Sequence, residues 1–236
     1  MFIVDEKLKA NYDNYYDGES EWRKITSVCK AANILHLCSA IPHEKILDIG
    51  SGEGSVLKRL SDAGFGSLFS LEISESGVDI INNRYIASLK ECKIFDGYNI
   101  PYNDNQFDLA VISHVLEHVE FPRMLLKEAA RVAKYVFIEV PLEDNNRLPK
   151  DYKWERLGHI NFYSLKTIRR LLQTTNLEIL VQEAVNNSLA VYKYQHGKTA
   201  IMKFLIKKIM LRMFPSLATR LFTYNGIILC RRSTDL

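Results

Sequence analysis

Cysteine is scarce in this sequence. The four cysteines among its 236 residues are Cys29, Cys38, Cys92 and Cys230. No two of them form a C-x-x-C pair, and none sits with histidines at the spacing of a zinc site. The simplest interpretation is four reduced thiols in a cytosolic protein.

Long apolar runs are also missing. No stretch of 18 or more apolar residues occurs, so we expect no transmembrane helix. The N-terminus has no basic start followed by an apolar stretch, so it does not resemble a secretory signal. Hydrophobic residues make up 47% of the chain and charged residues 25%, which suits one buried core. We therefore expect a single cytoplasmic domain over residues 1–236.

Acidic residues are absent from a long C-terminal stretch. Residues 184–234 contain no Asp or Glu but nine Lys and Arg, although the net charge of the whole chain is only +3. Such an asymmetry bears on the partners of a protein and not on its fold. We interpret residues 184–224 as a basic helical insert.

Strand and helix patterns alternate along the middle of the chain. Short apolar runs predict strands at 45–49, 67–73, 92–95, 107–113, 135–140, 177–182 and 225–230. Helical spacing predicts helices at 55–63, 75–89, 123–132 and 164–174, after one or two helices in residues 1–41. Short strands that alternate with helices indicate an α/β fold whose parallel sheet is covered on both faces.

A glycine-rich turn follows the first predicted strand. Gly50, Gly52 and Gly54 separate this strand from the next helix, and Asp48 lies just before them. Glycine allows a sharp turn and the close approach of a ligand, and the free N–H groups of the helix start face that ligand. The turn therefore predicts a binding loop.

Two further acids lie where the next strands are predicted to end. Glu72 ends the second strand, and Asp96 ends the third. A carboxylate at the first position can accept hydrogen bonds from both hydroxyls of a ribose, and one at the second can accept from an adenine amino group. Open α/β sheets bind ligands at the carboxyl ends of their strands, which is where all three acids fall.

Nicotinamide dehydrogenases share the glycine turn and the second acid. Their fingerprint is G-x-G-x-x-G, whereas the third glycine here comes one residue early. Asp48 precedes the turn and Glu53 lies inside it. Acids would repel a pyrophosphate but suit a cationic sulfonium ligand that also carries an ammonium group.

The ordered motifs resemble those of a known family. They are ILDIGSGEG, LEIS, the strand end at Asp96, FDLAVIS and HVLEHV. Together they resemble class I S-adenosylmethionine-dependent methyltransferases, in particular quinone-pathway and bacterial small-molecule or glycan enzymes. The resemblance covers residues 44–141 and, more loosely, 158–182. It implies a Rossmann-like seven-stranded sheet with an antiparallel last strand, an N-terminal helical lid (1–41) and the helical insert before that strand.

The resemblance also implies the cofactor, S-adenosylmethionine, and the residues that bind it. The methionine end would be held by Asp48, Gly50, Ser51, Gly52 and Gly54. The ribose would contact Glu72 and Ile73, and the adenine would contact Asp96, Gly97 and Tyr98. The sulfonium would lie beside Ser113 and His114.

Three histidines are candidates for the chemistry. Methyl transfer needs a positioned acceptor, and a base only where the acceptor must lose a proton. His114 and His118 would share one face if their segment is helical, and His159 lies in an H-x-N-x-[FY]-S segment that borders the acceptor in similar enzymes. We name His159 and His114 as catalytic candidates. We expect no metal site, because Glu117 is misplaced for H-E-x-x-H and no third ligand is evident.

Several other residues could face the acceptor. Glu139, Glu143 and Asp144 lie at or past the end of the fifth predicted strand. Aromatic residues of the N-terminal region could give the acceptor pocket walls; they are Tyr12, Tyr15, Tyr16 and Trp22.

The insert contains an apolar and basic helix at 198–214. Lys203, Lys207, Lys208 and Arg212 are expected to form one stripe, and nearly everything else is large and apolar. The helix could pack as a substrate lid or homodimer face, or lie on an anionic membrane. Contact with nucleic acid is the weakest alternative, because the stripe lacks interleaved exposed aromatic residues.

These observations predict an S-adenosylmethionine-dependent methyltransferase. Its acceptor would be a small molecule or a sugar, for example a lipid-linked glycan, methylated on oxygen or nitrogen. A non-catalytic S-adenosylmethionine-binding or scaffold subunit is the first alternative, and a nicotinamide dehydrogenase is the second.

Overall fold

The fold is taken from a computed structural model that describes residues 20–151 and 158–233. Its strands are β1 (Lys45–Ile49), β2 (Ser67–Glu72), β3 (Leu89–Ile94), β4 (Phe107–Ser113), β5 (Ala133–Pro141), β6 (Leu177–Val185) and β7 (Asn225–Arg232). Its α-helices are α1 (Glu21–Cys38), α2 (Ser55–Asp62), α3 (Glu75–Asn83), α4 (Pro122–Val132), α5 (Leu165–Leu172), α6 (Leu189–His196), α7 (Ala200–Met213) and α8 (Pro215–Leu221).

The seven strands form one sheet in the order β3-β2-β1-β4-β5-β7-β6. Strands β1 to β5 pair in parallel, and β7 runs antiparallel to both β5 and β6. The predicted α/β fold with an antiparallel last strand is confirmed. This order brings the carboxyl ends of β1, β2, β4 and β5 to one edge of the sheet, with the start of β7 beside them.

The sheet is buried on both faces, as its uninterrupted apolar strands predict. In β4, Leu109 and Val111 belong to one cluster of buried side chains, whereas Ala110 and Ile112 belong to the other. Helices α1 and α2 cover the first face, and α4 and α5 cover the second. The four cysteines are free thiols. Both faces of β4 are thus sealed, so ligands can reach this strand only at its ends.

The N-terminal helix packs against both the body and the insert. Arg59 of α2 donates to Ser27 of α1 at 2.8 Å, and the rings of Trp22 and Tyr194 lie 5.6 Å apart. Helix α1 therefore contacts α2 and α6 at once. Of the aromatic residues expected in a lid, Trp22 is described, and Tyr12, Tyr15 and Tyr16 lie outside the described residues.

Some element boundaries differ from the predicted ones. The helix predicted at 75–89 ends at Asn83, and β3 begins at Leu89 and ends at Ile94. The chain turns there because Ile86 is buried in the same cluster as Leu60 and Ile81, while Arg84 is held by Glu53 at 2.9 Å. Strand β6 runs on to Val185 because β7 pairs with it along that whole length.

The insert consists of three α-helices, α6 to α8, and its basic residues do not form one stripe. Lys207 points inward, donates to the Thr223 carbonyl at 2.6 Å and lies 4.7 Å from the centre of the Tyr224 ring. Burial lowers the pKa of Lys207 to about 8. Lys203 and Lys208 are exposed. The expected four-residue stripe is wrong, because Lys207 lies on the inner side of α7 and the other two lysines do not.

Much of the apolar surface of the insert is uncovered. We call the following residues the exposed apolar face: Ile201, Met202, Leu205, Ile206, Ile209, Met213, Phe214 and Leu217, with exposed fractions between 46% and 63%. Only Ala200 of α7 is buried. None of the helices in residues 20–151 and 158–233 combines the length and the apolar content needed to cross a bilayer.

A glycine pair before β2 provides a test of the fold. A Cβ on Gly66 would overlap the Glu44 carbonyl oxygen, which accepts from Ser67 at the start of the β1–β2 pairing. Gly64 has a φ of +81°, but a Cβ added there would meet nothing within 4 Å. We expect Gly66→Ala to cost about 3 kcal/mol and Gly64→Ala only about 1 kcal/mol.

Thermal unfolding checks this difference, because 1 kcal/mol corresponds to roughly 2–4 °C in a chain of this size. Equal losses in the two variants would show that backbone conformation matters here and that the close contact with Glu44 does not.

Candidate active site

The glycine turn between β1 and α2 is tightly packed. Gly50, Gly52 and Gly54 have φ values of +76°, +59° and +77°, which side chains disfavour. A Cβ on Gly50 would lie 2.5 Å from a methyl group of Val115, and the Gly50 N–H donates to the Leu71 carbonyl at 2.7 Å. The turn is therefore held between the end of β2 and the segment after β4.

Asp48 lies beneath this turn and is only 4% exposed. Burial raises the pKa of Asp48 to about 7, although a hydrogen bond from Ser51 and the charge of Lys30 act in the opposite direction. An acid that is this hard to ionise is poorly solvated by its surroundings. A cationic ligand at the turn would stabilise its charged form.

Glu72 ends β2 as predicted and is also buried. Its Oε2 accepts from the Gly52 N–H at 2.7 Å, and its Oε1 accepts from Ile73 at 2.9 Å and Ser74 at 3.2 Å. Burial raises the pKa of Glu72 to about 7 despite these bonds. The carboxylate thus fixes the glycine turn, and about one of its four lone-pair sites remains, on Oε2.

Glu53 does not add charge to the ligand side of the turn. Its carboxylate contacts Arg84 at 2.9 Å and Arg23 at 3.9 Å. The predicted repulsion of a phosphate by Glu53 is therefore wrong, because two guanidinium groups neutralise this carboxylate. The electrostatic preference for a cation rests on Asp48 and Glu72, and these two buried acids beside a glycine turn fit S-adenosylmethionine.

Asp96 lies two residues beyond β3 and closes a turn. Its Oδ1 accepts from the N–H groups of Tyr98 at 2.9 Å and Asn99 at 2.7 Å, and the Asn99 amide donates to Oδ2. Burial works to raise the pKa of Asp96, but these hydrogen bonds outweigh it and lower the pKa. Gly97 between them has a φ of +88°. The turn therefore holds a carboxylate whose hydrogen bonds favour its ionised form.

One imidazole lies between two fully buried carboxylates after β4. His114 has a φ of +57°, and its Nδ1 is 3.1 Å from Glu117 Oε1 and its Nε2 is 3.6 Å from Glu139 Oε1. Ser113 donates to Glu139 Oε2 at 2.9 Å. Burial opposes protonation of His114, but the two carboxylates raise its pKa. Both nitrogens face acceptors, which favours a charged, positioning histidine over a base.

Residues 114–119 form turns and not a helix. His114 and His118 therefore do not share a helix face, and the arrangement considered for a helical segment does not occur. Burial works to raise the pKa of Glu117, but the hydrogen bond and charge of His114 lower it to about 2. Glu117 thus stays ionised at 0% exposure.

The H-x-N-x-[FY]-S segment clamps this turn. Asn161 donates its side-chain amide to the carbonyls of Leu116 at 3.0 Å and Val119 at 2.7 Å, and Tyr163 donates to Leu116 at 3.2 Å. His159 Nδ1 lies 2.8 Å from Glu143 Oε2. Burial opposes protonation of His159, but this carboxylate raises its pKa. The motif therefore has a structural role besides any contact of His159 with the acceptor.

Two asparagines belong to the site without any signal in the sequence. Asn33 of α1 and Asn225 of β7 donate to Glu139 Oε1 at 2.8 Å and 3.2 Å. Neither lies in a motif, so no local pattern marks them.

The structure brings the predicted site residues together in three groups. Asp48 and Glu72 lie at the glycine turn, and Ser113 and His114 lie beside Glu139. His159 lies beside His118, with ring centres 4.8 Å apart.

Comparisons with known proteins agree with this geometry. Residues 22–182 match the family described as "Methyltransferase domain". The sterol 4-C-methyltransferase of Caenorhabditis elegans is 26% identical over 68% of this chain and 50% of its own length. The demethylmenaquinone methyltransferase of Renibacterium salmoninarum is 27% identical over 48% of this chain and 43% of its own length. The match thus spans about half the length of these curated relatives.

A solved structure shares the fold over nearly its full length. The geranyl diphosphate C-methyltransferase of Streptomyces coelicolor, crystallised with Mg²⁺, geranyl diphosphate and S-adenosylhomocysteine, has a TM-score of 0.65 at 16% identity, covering 96% of this chain and 97% of that one. Because the family match covers more than half of the sequence, including the glycine turn and the buried acids, the chain belongs to the class I S-adenosylmethionine-dependent methyltransferases.

Proposed function

We propose that this protein transfers the methyl group of S-adenosylmethionine to an oxygen or nitrogen of a lipid-linked small molecule or glycan at an anionic membrane surface. The observation that carries the methyltransferase assignment is the pair of buried acids, Asp48 and Glu72, against the Gly50–Gly54 turn. The exposed apolar face beside a basic surface supports the lipid-linked acceptor.

The cofactor would lie across the carboxyl ends of β1 to β5. The proposed contacts are Asp48, Gly50, Ser51, Gly52 and Gly54 with its methionine end, Glu72 and Ile73 with the ribose, Asp96 and Gly97 with the adenine, and Ser113 and His114 near the sulfonium. When bound, the cofactor supplies an activated methyl group on sulfur. The protein's task is then to align the acceptor and to exclude water.

His159 is the proposed acceptor contact. It follows β5 at the same edge of the sheet, and Glu143 fixes its ring through Nδ1. A ring oriented in this way can bind an acceptor hydroxyl or amine through its second nitrogen. His114 acts on the site through its charge, because its ring is already engaged by Glu117 and Glu139.

The exposed apolar face suits the interface of an anionic membrane. Eight large apolar residues are uncovered, the exposed cations Lys203, Lys208 and Arg212 lie among them, and residues 184–234 hold no acid. An interfacial helix buries its apolar side chains at the headgroup boundary, and basic residues add about 1 kcal/mol each near the surface. Relatives named for sterol and menaquinone substrates agree with a lipid-borne acceptor.

Substitution of Asp48 separates cofactor binding from stability. Because the folded-state pKa of Asp48 lies above its unfolded value, ionising it costs stability at pH 8 and not below about pH 4. Asp48→Asn should therefore raise the melting temperature at pH 8 by a few degrees, on the order of 1 kcal/mol. The same change should weaken S-adenosylmethionine binding at least tenfold, the loss of about one charged hydrogen bond.

Calorimetric titration and thermal unfolding at pH 5 and pH 8 measure both effects. Asp79→Asn, the same change at an exposed position on α3, is the control and should alter neither. Unchanged affinity in Asp48→Asn would contradict the cofactor assignment. Wild-type binding of NAD in place of S-adenosylmethionine would favour a dehydrogenase, and cofactor binding without release of S-adenosylhomocysteine from lipid extracts would favour a non-catalytic subunit.

Vesicle flotation tests the proposed contact with the membrane. The wild-type protein should float with vesicles containing phosphatidylserine at low salt and lose most of this binding at high salt, because screening weakens the basic contribution. The double variant Ile206→Gln/Ile209→Gln should bind several-fold more weakly. Leu180→Gln on β6, where the side chain is 40% exposed, is the matched control and should bind like the wild type.

Absence of flotation at low salt would contradict the membrane proposal. A concentration-dependent dimer that the Ile206→Gln/Ile209→Gln variant abolishes would instead assign the exposed apolar face to a second copy of the chain.

A further inference from the structure

Three side chains with metal-ligating atoms converge beyond β4 and β5. Glu117 and His118 lie in the turn after β4, and His159 reaches them from the segment before α5. One ligand atom from each lies within 4.8 Å of the other two, and the two imidazole rings are tilted by 73°. Two histidines and one carboxylate form a ligand set used by transition metals.

The carboxylate of Glu117 has an oxygen that is buried without a partner. Oε1 accepts from His114, whereas Oε2 has no hydrogen-bond partner within the described residues. The residue is 0% exposed, so water does not satisfy this oxygen from the surface. Since a buried carboxylate oxygen is costly without a partner, a cation beside it would supply the missing interaction.

His159 is already oriented in the way that metal-binding histidines are. Its Nδ1 contacts Glu143 Oε2 at 2.8 Å, so with the proton on Nδ1 the lone pair of Nε2 is available on the opposite side of the ring. A carboxylate behind a ligating histidine fixes its tautomer and increases its basicity. His114 plays the corresponding part for Glu117 by holding its other oxygen.

We propose that Glu117, His118 and His159 bind one divalent first-row transition-metal ion. Two imidazole nitrogens and one carboxylate suit Zn²⁺ or Fe²⁺, whereas Mg²⁺ and Ca²⁺ take oxygen ligands. Metal–ligand distances near 2.0–2.2 Å require the three atoms to draw slightly together from their present spacing, which side-chain rotation can provide. Three protein ligands leave at least one coordination position open.

The role of the ion rests on the proposed function. The cluster lies at the same edge of the sheet as Ser113 and Glu139. With an ion bound at its Nε2, His159 would act on the acceptor through that ion and not by direct contact. An ion in the cluster would bind an oxygen of the acceptor at its open position and so fix the acceptor relative to the methyl group. Acceptors without such an oxygen would be held less well.

Metal binding can be measured without any acceptor. Protein without a histidine tag is stripped with a chelator and titrated with Zn²⁺ by calorimetry and with Co²⁺ by visible absorption. We expect one equivalent of each ion and Co²⁺ bands typical of mixed nitrogen and oxygen ligands. A large excess of Mg²⁺ should not displace Zn²⁺.

Substitutions test whether the ion binds at Glu117, His118 and His159. His118→Gln and His159→Gln should each lower Zn²⁺ affinity at least about tenfold, and Glu143→Gln, which changes only the support of His159, should lower it by about 10–100-fold. The control is His36→Gln, which removes an exposed histidine 3.1 Å from Glu183 and should change nothing. Circular dichroism identifies any variant that does not fold. The Zn²⁺ affinities of the folded variants then test the proposed site.

Less than one equivalent of Zn²⁺ in the wild type, or wild-type affinity in His118→Gln and His159→Gln, would overturn the proposal. An equal loss in His36→Gln would also overturn it. Calorimetry with S-adenosylmethionine on the same proteins separates the two proposals. Cofactor binding without Zn²⁺ binding rejects the metal site alone, and Zn²⁺ binding without cofactor binding rejects the proposed function alone.

Discussion

The buried carboxylate of Glu139 connects more elements of this protein than any other side chain described in the site. It lies at the end of β5 and receives hydrogen bonds from Asn33 on α1, Ser113 on β4 and Asn225 on β7. His114 completes its surroundings and joins it to Glu117. A fully buried charge is tolerated only with such partners. The need to satisfy Glu139 therefore fixes where α1 and β7 meet the parallel strands.

The glycine turn between β1 and α2 shows the opposite situation. Asp48 and Glu72 are buried with their pKa values raised to about 7, and Glu72 is supported mainly by backbone N–H groups. A raised pKa means that ionising these acids costs stability, and a cationic ligand would offset that cost. Glu139 is thus satisfied by partners from its own chain, whereas Asp48 and Glu72 would be completed by a cation. This contrast follows the trade-off between stability and function at binding sites.

The fold and the glycine turn are predictable from the sequence because both depend on local signals. The apolar run of β4 and the glycines at 50, 52 and 54 are readable without neighbours, and the structure shows the strand and the positive φ values that they imply. The antiparallel last strand follows from the family resemblance and not from periodicity. Boundaries are weaker at 75–89, where burial of Ile86 overrides helical spacing.

Contacts between distant segments are not predictable in this way. Asn33 and Asn225 lie in no motif. Glu53 pairs with an arginine just past the end of α3. His159 lies near Glu117 and His118 only because the sheet brings these distant segments together. The orientation of Lys207 depends on contacts outside its own helix, with residues 223 and 224. In each case the spacing of residues along the chain does not predict which distant residue is contacted.

Hydrogen bonds of Lys207 and Tyr224 connect the insert to the site. Lys207 bonds to Thr223, and Tyr224 donates to the Lys207 carbonyl at 2.8 Å. The next residue, Asn225, begins β7 and reaches Glu139. Helix α7 is therefore held by two hydrogen bonds within two residues of the site, whereas its opposite side remains exposed. The family match ends at residue 182, ahead of this insert. Since a loop between sheet strands can be lengthened at little entropic cost, a fold shared with many methyltransferases can place a surface of its own directly beside the start of β7 and Glu139.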